Sequence, residues 1–354
     1  MNWFEFYKGK RVLVTGHTGF KGSWMCTLLA EAGAEVTGYA LKPPTEPALF
    51  QLCGLAEKMN SVEGDVRDLA HLQQVFEEVQ PEIVIHMAAQ PIVRESYQNP
   101  VYTYEVNVMG TVNVLECVRR TDSVRSVVNV TTDKVYKNKE WCWGYREEEE
   151  LNGFDPYSNS KSCSELITSA YINSFFAGSD VAVSTVRAGN VIGGGDFATD
   201  RIIPDCVRAV SEGREIIVRN PYSVRPYQHV LEPVTVYLWL AKVQYELPQL
   251  AGCYNVGPEE ADCLTTGALV DLFCEKWEKQ AGSRPRWIDQ SDGGPHEAQF
   301  LKLDCSKLKS MLGWKPVWTI SETMEKLVEW YHVYLTCGKM DICMRKQIED
   351  FLNK

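Results

Sequence analysis

No pair among the twelve cysteines has the C-x-x-C spacing of a zinc knuckle or a redox pair. Cys253/Cys263, Cys263/Cys274 and Cys337/Cys343 come nearest in sequence. The pattern predicts free thiols in a reducing compartment and no metal site. Long apolar runs are missing too. The longest stretch free of Asp, Glu, Lys and Arg, Leu166–Ser179, has 14 residues, too few to span a membrane. The first residues, MNWFEFYKGK, lack the apolar core of a secretory signal, so the expectation is a cytoplasmic protein. Basic residues are outnumbered: Lys and Arg total 36 against 47 Asp and Glu, a net charge of −11. That argues against a general nucleic-acid binder and leaves room for a local basic site for one phosphorylated ligand.

The 354 residues are 45% hydrophobic and 23% charged, as in an ordinary globular chain of roughly two domains. Short β-branched runs at Arg11–Thr15, Glu35–Ala40, Ser61–Glu63, Glu82–Met87, Ser126–Thr131 and Val181–Arg187 alternate with helical spacing. The helical stretches are 20–32, 69–79, 101–119 and 156–176. Strands apolar on both faces, separated by helices, predict an α/β fold: a Rossmann-type doubly wound parallel sheet. After Arg187 the rhythm changes, with helices expected at 232–245, 266–279, 306–312 and 320–334. We expect a sheet domain over 1–187 with returning segments near 229–258. A smaller C-terminal α/β substrate-binding domain is expected over 188–354.

Gly16-His17-Thr18-Gly19-Phe20-Lys21-Gly22 follows the first strand and opens the first helix. Glycines there let the backbone turn tightly and approach a pyrophosphate, and the helix N-terminus offers N–H groups to it. Gly16, Thr18, Gly19, Phe20, Lys21 and Gly22 are therefore cofactor candidates. The acidic residue common at the second strand end is absent; Tyr39-Ala40-Leu41-Lys42 stands there. Lys42 suits a 2′-phosphate or is a solvated loop charge, so this pattern leaves NAD versus NADP open. Asp65 and Val66 follow the third strand, where side chains reach an adenine; Asp65 is alternatively a helix cap.

Tyr157 and Lys161 share a helix face at i, i+4 spacing. A lysine ammonium beside a phenol is expected to lower its pKa, desolvation opposing, and so ready Tyr157 to accept a hydroxyl proton. Thr132, Asp133 and Lys134 end the fifth strand, where parallel sheets form their ligand crevice. Arg187, Asn190, Arg201, Arg219, Arg225 and His229 cluster in the second half, and arginine matches phosphate in fork geometry. The run Gly193–Gly195 reads either as backbone open to a phosphate or sugar, or as a flexible loop.

With His86-Met87-Ala88-Ala89-Gln90 and Asn107, these features resemble the extended short-chain dehydrogenase/reductases. Within them the chain most resembles the CDP-glucose 4,6-dehydratase family. The stretches TGHTGFKGSW, YALKPPTEPALF, TTDKVY, RAGNVIGGGDFATDRIIPD, RPYQHVLEP and LGWKP carry that likeness. The resemblance implies NAD, held also by Ala88, Ala89, Gln90 and Asn107, and a nucleotide-sugar substrate. It implies oxidation at hexose carbon 4 by Tyr157 with Lys161 and Thr132, water loss across carbons 5 and 6, and hydride return to carbon 6. Asp133 matches the acid of the dTDP-glucose relatives; Lys134 replaces their glutamate base, which leaves its role open. Asn190 and Arg225 are the first substrate-contact candidates, then Arg201, Arg219 and His229. A homodimer or homotetramer is implied as well. The rival within this superfamily is another nucleotide-sugar dehydratase or a 4-epimerase, and Asp133-Lys134 favours elimination.

Overall fold

The computed structural model describes residues 3–290 and 300–354. Seven strands form one parallel sheet: β1 (Arg11–Thr15), β2 (Glu35–Ala40), β3 (Asn60–Glu63), β4 (Ile83–His86), β5 (Ser126–Val130), β6 (Ala182–Ala188) and β7 (Cys253–Val256). Their order is β7-β6-β5-β4-β1-β2-β3. The central register pairs Val12 with Val36 on one side and Ile83 on the other. Alternation along β1 explains the two layers. Val12 and Val14 point into one core, with Ile83, Ile85, Val128 and Val130. Leu13 points into the other, with Val84 and Val127. The order reverses between β1 and β4, and a ligand crevice opens at the carboxyl ends of strands at such a point.

Helices cover both faces. α1 (Phe20–Glu31) leaves the glycine turn, and α2 (Leu69–Val79) is capped by Asp68, whose side chain accepts from His71 N. Asp65 is thus not the cap; it pairs with Arg67 at 2.7 Å. The long helix expected over 101–119 is broken. A turn of helix (Pro100–Tyr104) widens into a π turn (Glu105–Met109) before α3 (Gly110–Arg119). α4 (Pro156–Tyr171) starts on Asp155, whose carboxylate accepts from Ser158 N, with Pro156 at its first position. It also ends in a π turn, Ile172–Phe176.

The second half returns to the sheet: α6 (Leu231–Glu246) packs on β5 and β6 and leads to β7. Four described helices were not legible in the sequence: the short Leu49–Leu52 and Val93–Gln98, and the longer α5 (Ile202–Ser211) and α9 (Met340–Leu352). Between the longer two lie α7 (Thr266–Ala281), capped by the Thr265 hydroxyl, and α8 (Ile320–Thr336), opened by a Thr319/Glu322 capping box. One hydrophobic cluster runs from Trp3 to Phe351, so the two halves share a core. All twelve cysteines are free. No described helix is long and apolar enough to cross a membrane.

Within the run Gly193–Gly195, Gly193 lines the cavity, while Gly194 and Gly195 are packed against side chains. A Cβ on Gly194 would fall 2.0 Å from the Trp330 indole, and Gly195 has φ +84° against Leu49. The Gly194 carbonyl accepts from Trp24 Nε1 at 3.0 Å. Packing against Trp330 demands glycine at 194, and the positive φ with Leu49 in contact demands it at 195.

Candidate active site

A cavity of about 590 Å³ opens at the carboxyl ends of β5 and β6. It brings together Phe20 and Lys21 from the glycine turn, Thr132, Asp133 and Lys134 after β5, and Tyr157 from α4. Asn190, Arg201, Arg219 and Arg225 line it too. The wall carries six cationic side chains, Lys21, Arg94, Lys134, Arg201, Arg219 and Arg225, against the four carboxylates Asp133, Asp196, Asp200 and Asp205. A chain of net charge −11 thus turns a locally positive wall inward.

The glycine turn fits a dinucleotide. Gly16 has φ +77°, and a Cβ there would lie 2.8 Å from Ala88 N. A Cβ on Gly22 would lie 2.2 Å from the Gly16 carbonyl oxygen, so these two glycines close the turn. Gly19 differs: its Cβ would meet nothing nearer than 3.5 Å, which leaves an open face beside the helix start. No side chain caps α1, so its first N–H groups remain available to an anion. Thr18 closes the other side, its hydroxyl donating to the Leu41 carbonyl at 2.9 Å.

Tyr157 is held by its surroundings on α4. Its N–H donates to Ser96 Oγ at 3.1 Å, and Ser162 Oγ, further along the helix, donates to the Val135 carbonyl at 2.7 Å. Burial pushes the phenol up to about 12; a hydrogen bond with Thr132 and the charge of Arg201 pull the other way. This corrects the expectation that Lys161 lowers it. The Lys161 ammonium instead donates to the Val130 carbonyl at 3.1 Å. Burial, with Lys21 nearby, brings Lys161 down to about 7, and Glu165 opposes that shift. Lys21 is lowered to about 8 by burial and by Arg201. Asp133 is buried. Its Oδ1 accepts from Thr132 Oγ1 at 3.0 Å and lies 3.7 Å from Lys134 Nζ, while Oδ2 has no partner.

The clamp residues separate. Arg201 pairs with Asp196 at 2.9 Å, and Arg219 with Asp200 at 2.5 Å and Asp205 at 3.1 Å. Asn190 keeps a buried Oδ1 without a partner on the cavity wall. Two candidates fall outside. Arg187 is buried on β6 and forks onto Glu165 through Nε and Nη2, both at 2.9 Å. His229 packs edge-on against Trp24 and Trp318, and burial lowers it to about 3. It is a core histidine. Asn107 and Gln90 also spend their side chains internally. Asn107 brackets the Gln90 backbone at 2.9 and 3.1 Å and donates to Ser160, and Gln90 Nε2 donates to Thr103. They brace the loop after β4. Val66 is buried beside Gly110, in the sheet's second core.

Residues not foreseen include Arg94, Asp196 and a hydroxyl cluster at the cavity wall, where Thr266 Oγ1 meets Ser223 at 3.0 Å and Tyr227 at 3.1 Å. No sequence spacing joins them; the fold does.

Residues 13–327 match the family profile described as GDP-mannose 4,6 dehydratase. The chain belongs to that dehydratase family. Within this dehydratase family, it is 48% identical to the CDP-glucose 4,6-dehydratase of Salmonella typhimurium, over 99% of this chain and 98% of that protein. Among solved structures it is similar to the UDP-glucose 4-epimerase of Thermotoga maritima (TM-score 0.77, 22% identity, 92% and 99% of the two chains). The UDP-glucose 4-epimerase of Thermus thermophilus, solved with NAD, gives TM-score 0.76 and 25% identity over 91% and 99%.

Proposed function

We propose that this chain converts CDP-D-glucose into CDP-4-keto-6-deoxy-D-glucose, a hydro-lyase reaction in deoxysugar biosynthesis. The observation that carries the reading is one cavity holding Tyr157, Thr132, Asp133 and Lys134 beside four arginines. The identity with the Salmonella enzyme supports the substrate.

NAD held on the glycine turn would supply a hydride acceptor for carbon 4 and a hydride donor for carbon 6. Tyr157 takes the proton of the hexose 4-hydroxyl, and the Thr132 hydroxyl steadies the same oxygen. Only the phenolate can accept that proton, so Tyr157 first gives up its own to solvent; the Thr132 hydrogen bond and the Arg201 charge, which pull the buried phenol down from about 12, favour that form. The resulting ketone acidifies the carbon-5 hydrogen. Asp133, buried with Oδ2 unpartnered, protonates the leaving 6-hydroxyl. Lys134, at ion-pair distance from it, takes part in the same elimination, either taking the carbon-5 proton or holding the enolate while a water takes it, and a proton returns to carbon 5 when carbon 6 receives its hydride. Arg201, Arg219 and Arg225 grip the diphosphate and Asn190 the sugar.

The sheet half, 1–187 with the return near 229–258, binds the cofactor, and the remainder binds the nucleotide. Lys42 is 80% exposed and lies 4.0 Å from Glu63, whose carboxylate disfavours a 2′-phosphate; NAD is the cofactor rather than NADP. The free thiols suit the cytoplasm. The large apolar residues Val101, Met109 and Leu166 are exposed on neighbouring helices, where a second copy of the chain covers them in a homodimer or a dimer of dimers.

The test is mass spectrometry after incubation with NAD and CDP-, dTDP-, UDP- or GDP-glucose in turn. The proposal expects loss of one water from CDP-glucose. Intact CDP-glucose beside a changed dTDP- or UDP-sugar overturns the substrate assignment.

A further inference from the structure

Behind the cavity lies a buried polar cluster that the chemistry above does not use. Glu165 sits one helical turn beyond Lys161 and two beyond Tyr157, on the same face of α4. Four donors saturate its carboxylate. Oε1 accepts from Thr131 Oγ1 at 2.5 Å and Arg187 Nε at 2.9 Å; Oε2 accepts from Thr185 Oγ1 at 2.6 Å and Arg187 Nη2 at 2.9 Å. The far side of Arg187 is also engaged. Its Nη1 donates to Tyr136 Oη at 2.9 Å and to the Glu147 carbonyl at 2.8 Å, and Tyr136 in turn donates to Asn255 Oδ1 at 2.6 Å.

Thr131 and Tyr136 are the residues on either side of the turn Thr132–Val135. One ion pair therefore grips both ends of the segment that carries Asp133 and Lys134. Glu165 and Arg187 are each about 2% exposed at the side chain, and neither lines the cavity. Their charges cancel, so they neither steer nor bind an anionic substrate. Nor does stability explain them, because desolvating such a pair cancels most of its attraction, and apolar pairs of like volume do as well. What the pair provides is a fixed geometry, since an arginine fork satisfies carboxylate, phenol and carbonyl only in one arrangement.

We propose that the Glu165–Arg187 pair is a positioning device for the elimination step, holding Asp133 and Lys134 in register with the hexose through Thr131 and Tyr136. This rests on the dehydratase reading above. Tyr157 stands on α4 with its own anchors at Asp155, Ser158 and Ser96, so of the groups that serve the oxidation only Thr132 moves with the turn, whereas Asp133 and Lys134 both do, and loosening the turn costs the elimination more than the oxidation.

The test is the double variant Thr131→Val/Tyr136→Phe. It cuts both tethers and leaves the ion pair whole, with a donor still on each Glu165 oxygen. Acid-quenched single turnovers on CDP-glucose, followed by mass, separate the 4-keto hexose (two hydrogens lost) from the product (one water lost). The expected result is water loss slowed about 10- to 100-fold with oxidation slowed at least about fivefold less, so that the 4-keto hexose accumulates. Amide hydrogen exchange should rise over 132–135 while β5 and α4 keep their protection. Equal slowing of both steps, slowing of neither, or unchanged exchange over 132–135 overturns the proposal. Wild type runs alongside: if it acts only on another nucleotide hexose, the substrate assignment fails and the same comparison is made on that sugar.

Discussion

Thr132 donates its hydroxyl to Oδ1 of Asp133 over 3.0 Å, and Oδ2 of that carboxyl, buried, has no partner. One oxygen is fixed by its neighbour and the other is left for a ligand. An unpartnered buried acceptor is costly unless a substrate group completes it. The leaving 6-hydroxyl is the group this account assigns to it.

Asp133→Asn keeps the shape and removes the transferable proton. Water loss is expected to slow about 100-fold or more, with oxidation at carbon 4 slowed far less. Single-turnover mass analysis reads both steps, and comparable losses in the two count against Asp133 as a dedicated acid.

Gly19→Ala separates fold from cofactor. Its Cβ meets nothing nearer than 3.5 Å in the chain, so the melting temperature should stay within about 3 °C. The same methyl enters the open face beside the α1 N-terminus, and NAD affinity measured by calorimetry should fall at least about tenfold. Unchanged affinity would place the pyrophosphate elsewhere.

Arg225→Ala should raise KM for the nucleotide sugar about 10- to 100-fold with kcat within about threefold, as expected for loss of a charged hydrogen bond made alike in ground and transition states. Steady-state kinetics decides. A fall in kcat at constant KM would move Arg225 from binding to chemistry.

Lys161 carries a pH signature. Burial lowers it to about 7 from its ordinary 10.5, so between those values the unfolded chain holds a proton that the folded one lacks. Stability therefore rises with pH across that window, and the cost of the buried charge is full below about pH 7. Lys161→Met removes this cost. The inactive variant should be more stable than wild type by about 1–3 kcal/mol at neutral pH, the gap closing toward pH ~10. Urea unfolding across that range checks it; a gap independent of pH would mean that Lys161 does not titrate there.

The strands and the catalytic turn were legible because their signals are local. β1 and β5 are β-branched runs buried on both faces, and Tyr157/Lys161 needs only one helix. The clamp was legible in part. Arg187 and Arg225 both sit on strands and both are buried, yet one meets Glu165 and the other lines the cavity. Nothing in their spacing tells them apart, because Glu165 lies 22 residues from Arg187 and meets it only where α4 packs on β6. His229 looked like a ligand group until Trp24 and Trp318 closed around it. α9 escaped notice because sulfur and amide side chains, Met340, Cys343, Met344 and Gln347, make up four of the six residues of its buried face.

The most direct test follows one hydrogen. CDP-glucose labelled with deuterium at carbon 4 is turned over with unlabelled NAD, and the product is analysed by mass and NMR. The account predicts loss of one water with the deuterium now on carbon 6. A dehydrated product without deuterium at carbon 6, or a carbon-4 epimer with no water lost, would contradict it.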